Sequence, residues 1–288
     1  MRLRLLLPLL LLAFSVTAET TNSPKQVLLL QTGDKTRPEF FIRNLYPCPL
    51  EVQIDWGKHD NVSAEPDLPN RFVVASGDSP ALFKVTPDQP RKSTQFSLCY
   101  RYIFGRPLTN YQSTYLYQPP IKPKTRFRIT QAFDGKFSHI DAQNRYAVDI
   151  SMPLDTPVYA ARAGIVIDVK DSYSDHGKQT ELASKANSIR ILHDDSSMAV
   201  YAHLALEKAQ VKTGMSIAAG QLIAYSGNTG YSSGPHLHFA VQINQGMELV
   251  SVPFEFGDAE QKGVEPRFGA WLLGVLLSLI HISEPTRH

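Results

Sequence analysis

Beyond its first residues the sequence has no long stretch with the 3.6-residue apolar period of a surface helix, which argues against a helical domain. Cysteine is scarce. Cys48 and Cys99 are the only two, which excludes a disulfide-dense scaffold and leaves one candidate bridge. Closing that loop would contribute roughly 4 kcal/mol in the chain-entropy model, the alternative being two separate thiols. Two apolar stretches, residues 5–14 and 271–282, are both short of the roughly 20 residues that cross a bilayer. Charge of one sign is also lacking. Setting aside residues 1–18, whose only charges are Arg2 and Arg4, leaves 27 basic and 27 acidic side chains. No electrostatic case for nucleic acid remains.

What is there begins with a leader. Arg2 and Arg4 precede a leucine-rich run from Leu5 to Phe14, and Val16-Thr17-Ala18 ends it in small residues. This pattern predicts a signal peptide over residues 1–18, an exported protein, and no membrane span in the mature chain. Twenty prolines, seventeen glycines and 288 residues suit two β-rich domains. Over residues 27–118, period-two patterns such as Glu51-Val52-Gln53-Ile54-Asp55-Trp56 predict short strands of a small β-sandwich-like domain, taken to span 19–118. Gln118-Pro119-Pro120-Ile121-Lys122-Pro123-Lys124 reads as a stiff linker over 119–125. A second all-β domain follows over 126–257, with a hairpin expected around Asp194-Asp195. Residues 258–288 form a tail. Within it, residues 278–287 resemble a translated sequencing adapter, and no function is drawn from them.

The chemistry gathers in the second domain. In Pro235-His236-Leu237-His238-Phe239 a strand puts both imidazoles on one face, able to reach one point. Imidazole is a common zinc ligand. In Tyr146-Ala147-Val148-Asp149-Ile150 the carboxylate faces away from the apolar side and needs a partner, which is a nearby Arg, backbone amides or a metal. His139 lies ten residues earlier, in an expected loop, and His203 ends the strand-like run from Met198. His193 reads as a turn residue, His176 as part of a polar loop that lines the groove or is simply solvated, and His59 as a surface residue of the first domain.

Tyr201-Ala202-His203-Leu204, the glycine-rich run from Gly214 through Ser226-Gly227-Asn228-Thr229-Gly230, and Gly234-Pro235-His236-Leu237-His238-Phe239 together resemble the lysostaphin-type (LytM-domain) zinc metallopeptidases. Ala147-Val148-Asp149-Ile150 matches in the same order, and the resemblance covers residues 126–256. It implies an antiparallel β-sheet catalytic domain and one zinc ion held by His139, Asp149 and His238. It also implies that His203 and His236 are catalytic and not ligands. The implied activity is a zinc metalloendopeptidase cutting peptidoglycan peptides in the periplasm or cell envelope of a bacterium. One departure stands out. The usual first motif has three residues between its His and Asp, whereas nine separate His139 from Asp149, and position 145 holds Arg145. Rival expectations are an inactive protein of the same fold that binds cell wall or activates other hydrolases, and a lipoyl-type hairpin. The hairpin is disfavoured because residues 211–235 hold only Lys212, far from the tip.

Overall fold

A computed structural model describes residues 15–16, 26–34 and 36–275. Apart from Ser15 and Val16, the expected leader lies outside these residues, as does the tail from 276. Strands dominate, and a 3-10 turn at Thr180–Lys185 is the one helical element among the described residues. No helix there is long and apolar enough to cross a membrane. The described residues divide into two units: those up to 45 together with 49–104, and 46–48 together with those from 105 onward.

The first unit has two sheets. One contains Leu50–Asp60 between Gln95–Phe104 and Asn70–Val74, and the other contains Val27–Asp34, Arg37–Asn44, Phe83–Pro87 and Val62–Glu65. Phe40 stacks on Phe83 within one sheet at 4.9 Å and meets Phe96 of the other edge-on at 6.0 Å, so the rings fill the space between the sheets. Val52 and Ile54 are fully buried, as their alternation predicts. This is the expected sandwich.

The second unit is built on a nine-stranded sheet. Its central order is Gly164–Lys170, Ser188–Leu192, Met198–Ala202, His236–Asn244, Val148–Ser151 and Arg126–Gln131, with each neighbouring pair antiparallel. The expected hairpin around Asp194-Asp195 is present. One face of the sheet is the core, where Val148, Ile150, Tyr201 and Phe239 are all fully buried.

Two expectations differ from the structure. The stretch read as linker packs into the second unit. Tyr159 N–H donates to the Pro120 carbonyl and Ile121 is buried, and Leu116–Tyr117 just before the stretch, expected in the first domain, pairs with Glu255–Phe256. A segment with buried apolar side chains and paired backbone is not a free spacer. Cys48 and Cys99 are not bridged. Cys48 is buried among residues of the second unit, whereas Cys99 is exposed on a strand of the first. Burial pushes the Cys48 thiol up to about 12, so it is a neutral packing group at physiological pH.

Candidate metal centre

The polar face of the second unit's sheet carries the site. Antiparallel register sets Asp149 directly opposite His238, and Ala202 opposite His238 on the other side. Directly paired residues point to the same face, so Asp149 and His238 converge. His139 arrives from the loop between Arg126–Gln131 and Val148–Ser151. That loop is turned back by Asp141, whose Oδ1 accepts from the Gln143 and Asn144 N–H groups. Ser251 staples it, donating through Oγ to the Ala142 carbonyl and accepting from Tyr146 N–H.

One donor atom from each of His139, Asp149 and His238 lies within 4.8 Å of the others. His139 Nε2 is 3.2 Å and His238 Nδ1 2.9 Å from the same Asp149 Oδ1. His139 Nδ1 is 2.9 Å from the Ala132 carbonyl. A carbonyl can only accept, so Nδ1 carries the proton, and neutral His139 presents a bare lone pair on Nε2. Two lone pairs, on Nε2 and on Oδ1, then face each other and call for a proton or a cation between them. Two imidazoles and a carboxylate of this kind suit zinc. Burial alone would raise the Asp149 carboxyl, but the imidazoles of His139, His238 and His236 packed around it hold it well below the usual carboxylate range.

His203 and His236 stand beside this group, their rings 4.5 Å apart, and His236 Nε2 is 3.7 Å from Asp149 Oδ1. Each is fixed through Nδ1–H on a backbone carbonyl, Thr229 for His203 (2.7 Å) and Gly234 for His236 (2.8 Å). Both Nε2 atoms are thus lone-pair carriers. Burial, and then the neighbouring imidazoles, push His203 down to about 3. Burial also lowers His236, against the pull of Asp149. His203 has φ 61°, a left-handed conformation that costs a side-chain-bearing residue roughly 1–2 kcal/mol. Asn187, fully buried, braces this bend. Its N–H donates to Thr229 Oγ1, and its Nδ2 donates to the Leu204 and Tyr173 carbonyls.

Asp149, His203, His236 and His238 line a cavity of about 640 Å³. Its rim carries Phe137, stacked on Tyr231 at 6.0 Å. Ala183, Ser184 and Ala186 bring the polar loop 171–187 into the wall. That loop docks by pairing His176–Gly177 with Gly230–Tyr231. Gly230 permits the docking, because it has φ +82° and a Cβ there would lie 2.7 Å from the Ala186 Cβ. His176 itself is exposed. Arg145, at the position where the short-spaced motif has histidine, is exposed and paired with Asp134. His193 is buried on the core side and His59 stacks on Trp56 in the first unit, so neither joins the cluster. Gln131 was missed by motif reading, although it is a polar residue two positions after the buried Ile129, where period two predicts core.

Residues 143–249 match the profile of peptidase family M23. The second unit carries a peptidase family M23 domain. The matched span includes Asp149, His203, His236 and His238, and begins after His139. The chain is 34% identical over 123 residues to the peptidoglycan DD-endopeptidase ShyA of Vibrio cholerae, covering 41% of this chain and 26% of ShyA. It is 34% identical over 105 residues to lysostaphin of Staphylococcus simulans, covering 36% of this chain and 19% of lysostaphin. The chain thus spans about a quarter or less of these relatives' length. The solved catalytic domain of that lysostaphin aligns at 32% identity and a TM-score of 0.30, over 42% of this chain and 81% of the domain.

Proposed function

We propose that this chain is an exported zinc metalloendopeptidase that hydrolyses peptide bonds in peptidoglycan cross-links of a bacterial envelope. The observation that carries the reading is the convergence of His139 Nε2, Asp149 Oδ1 and His238 Nδ1, with His203 and His236 beside them in one cavity. The peptidase family of the domain and the activity for which ShyA is named support the peptide bond and the peptidoglycan substrate.

His139, Asp149 and His238 would hold one zinc ion, which when bound supplies an activated water and polarises a carbonyl. The proton work belongs to the other pair. At neutral pH the His203 and His236 rings are neutral, and each offers a lone pair at Nε2 because Nδ1 is committed to a backbone carbonyl. Such an atom takes a proton from an attacking water, and the resulting Nε2–H can then be handed to the departing amine nitrogen. While it holds that proton at Nε2, the same ring can donate to negative charge growing on the carbonyl oxygen. The two positive rings 4.5 Å apart would repel, so one proton at a time is shared between them.

The test is zinc content of protein purified without added metal, combined with digestion of purified peptidoglycan. Close to one zinc per chain and loss of cross-linked peptides are expected. A folded protein unable to take up zinc ends the reading, and a zinc-loaded protein inert on peptidoglycan moves the substrate elsewhere.

A further inference from the structure

Gln131 closes the strand Arg126–Gln131, two residues after Ile129, which is buried on the core face. A regular ladder would keep Gln131 on that face, opposite Val148. The pairing is not regular. Ile129 lies opposite Ile150, but Gln131 lies opposite Asp149, with a register shift between them. A bulge of this kind re-aims the side chain that follows it. Gln131 is thereby delivered to the face where Asp149 and the histidines gather.

There the amide uses its full hydrogen-bonding capacity of two donors and two lone pairs. Nε2 donates to Asp149 Oδ2 at 2.8 Å and to Ser138 Oγ at 2.7 Å. Oε1 accepts from the Phe137 and Ser138 N–H groups at 3.0 and 3.3 Å. Flipping the amide would set its oxygen against the carboxylate and its NH2 against two N–H donors, so the network admits one orientation. The four bonds tie the carboxylate of one proposed ligand to the two residues directly before the other, His139.

We propose that Gln131 is a positioning residue of the metal centre, a proposal that rests on the zinc reading above. It occupies Asp149 Oδ2, so that Oδ1 alone is turned to His139 Nε2 and His238 Nδ1, and it fixes the segment that presents His139. The long spacing explains why such a clasp is needed. With nine residues between His139 and Asp149, the connecting chain does not by itself set the distance between the two donors. A side-chain tie across the base of the loop does. Outer partners of metal ligands commonly hold 10- to 100-fold of metal affinity.

The experiment uses the full metal-free chain, with Gln131→Met, which keeps side-chain length and removes all four bonds, and Ser138→Ala, which removes one tie and leaves Asp149 and Gln131 in place. Zinc affinity is read by competition with a chromogenic chelator, and ligand geometry by the visible spectrum of the cobalt-loaded protein. Gln131→Met is expected to bind zinc about 10- to 100-fold more weakly. Its cobalt bands should be altered, because Oδ2 is released, and Ser138→Ala should lose less. Zinc affinity within twofold of wild type and unchanged cobalt bands would overturn the proposal. If Gln131→Met does not fold, Ser138→Ala decides, and unchanged affinity there overturns it equally. A wild-type chain that binds no zinc sinks the metal reading and this proposal together. Wild-type binding with indifferent variants sinks Gln131 alone.

Discussion

The second unit buries histidine in two places, and the same anchoring device gives opposite results. His203 and His193 both donate Nδ1–H to a backbone carbonyl, Thr229 in one case and Ala163 in the other. The device fixes the tautomer and aims Nε2, and what lies in front of Nε2 sets the chemistry. His203 Nε2 belongs to a cavity with Asp149 and two more imidazoles close by. His193 Nε2 finds no hydrogen-bond partner among the described residues, and its ring packs edge-on against Tyr117 at 5.8 Å. The first arrangement can move a proton. The second is a packing element with no group to exchange one with; burial keeps both rings neutral, pushing His193 down to about 4 and His203 to about 3. A histidine's partner on Nδ1 therefore says little about its role until the other nitrogen's surroundings are known.

The largest expected effect separates ligand from proton carrier within the first cluster. His238→Ala should lose zinc affinity by orders of magnitude and activity with it. His203→Ala should keep zinc and still lose peptide hydrolysis by roughly 100- to 10,000-fold, the usual worth of a positioned acid–base group. Zinc content and turnover measured on the same preparations check both. Equal zinc loss in the two variants would erase the division of roles. His139→Ala comes next. It should lower zinc affinity by orders of magnitude while the fold is kept, and unchanged binding would leave the third ligand to be found elsewhere.

The parts of this site legible in the sequence were those set by local periodicity. Period two alone puts His236 and His238 on one face and turns Asp149 away from Val148 and Ile150, and the register between those strands then makes them meet. What was illegible depends on pairing between distant segments. The bulge that re-aims Gln131 exists only in the ladder with Val148–Ser151. The brace from Asn187 to Thr229 spans 42 residues. The first domain's sandwich was legible from alternation, as at Val52 and Ile54. The Pro-rich stretch near 119 misled because composition was read before burial, although Tyr117 and Ile121 are apolar side chains that a free spacer has no use for.

A middle-sized effect tests the core-side histidine. The folded protein holds His193 at about 4 against about 6.5 in an unfolded chain, so between these values the unfolded state binds more protons. The contribution is fully present above pH 6.5 and is lost as pH falls towards 4, amounting to about 3 kcal/mol. His203 and His236 act in the same direction in metal-free protein, so the informative quantity is a difference. His193→Phe should flatten the pH dependence of unfolding midpoints between pH 6.5 and 4 relative to wild type, with zinc binding unchanged. An identical slope in both proteins would mean that His193 titrates normally.

The smallest expected effect falls on Arg145, and it sharpens the comparison from the other side. Arg145 holds the place where a short-spaced first motif would carry histidine, so chain position alone nominates it for the metal. Its surroundings do not. Its guanidinium pairs with Asp134 at 2.7 Å and lies over the Tyr146 ring at 5.2 Å, with the side chain more than half exposed. A guanidinium stays protonated and has no lone pair to offer a cation. The loop that carries it is held by other groups, namely Asp141 within the turn and Ser251 beneath it. Exposed ion pairs of this kind contribute little to stability and are screened by salt. Arg145→Ala should therefore leave zinc affinity within about twofold and the melting temperature almost unmoved, whereas His139→Ala, six residues earlier in the same loop, loses the metal. Measuring both variants by the same chelator competition sets sequence position against geometry. A marked loss of zinc in Arg145→Ala would show that the loop's outer pairing with Asp134 helps to hold His139 in place.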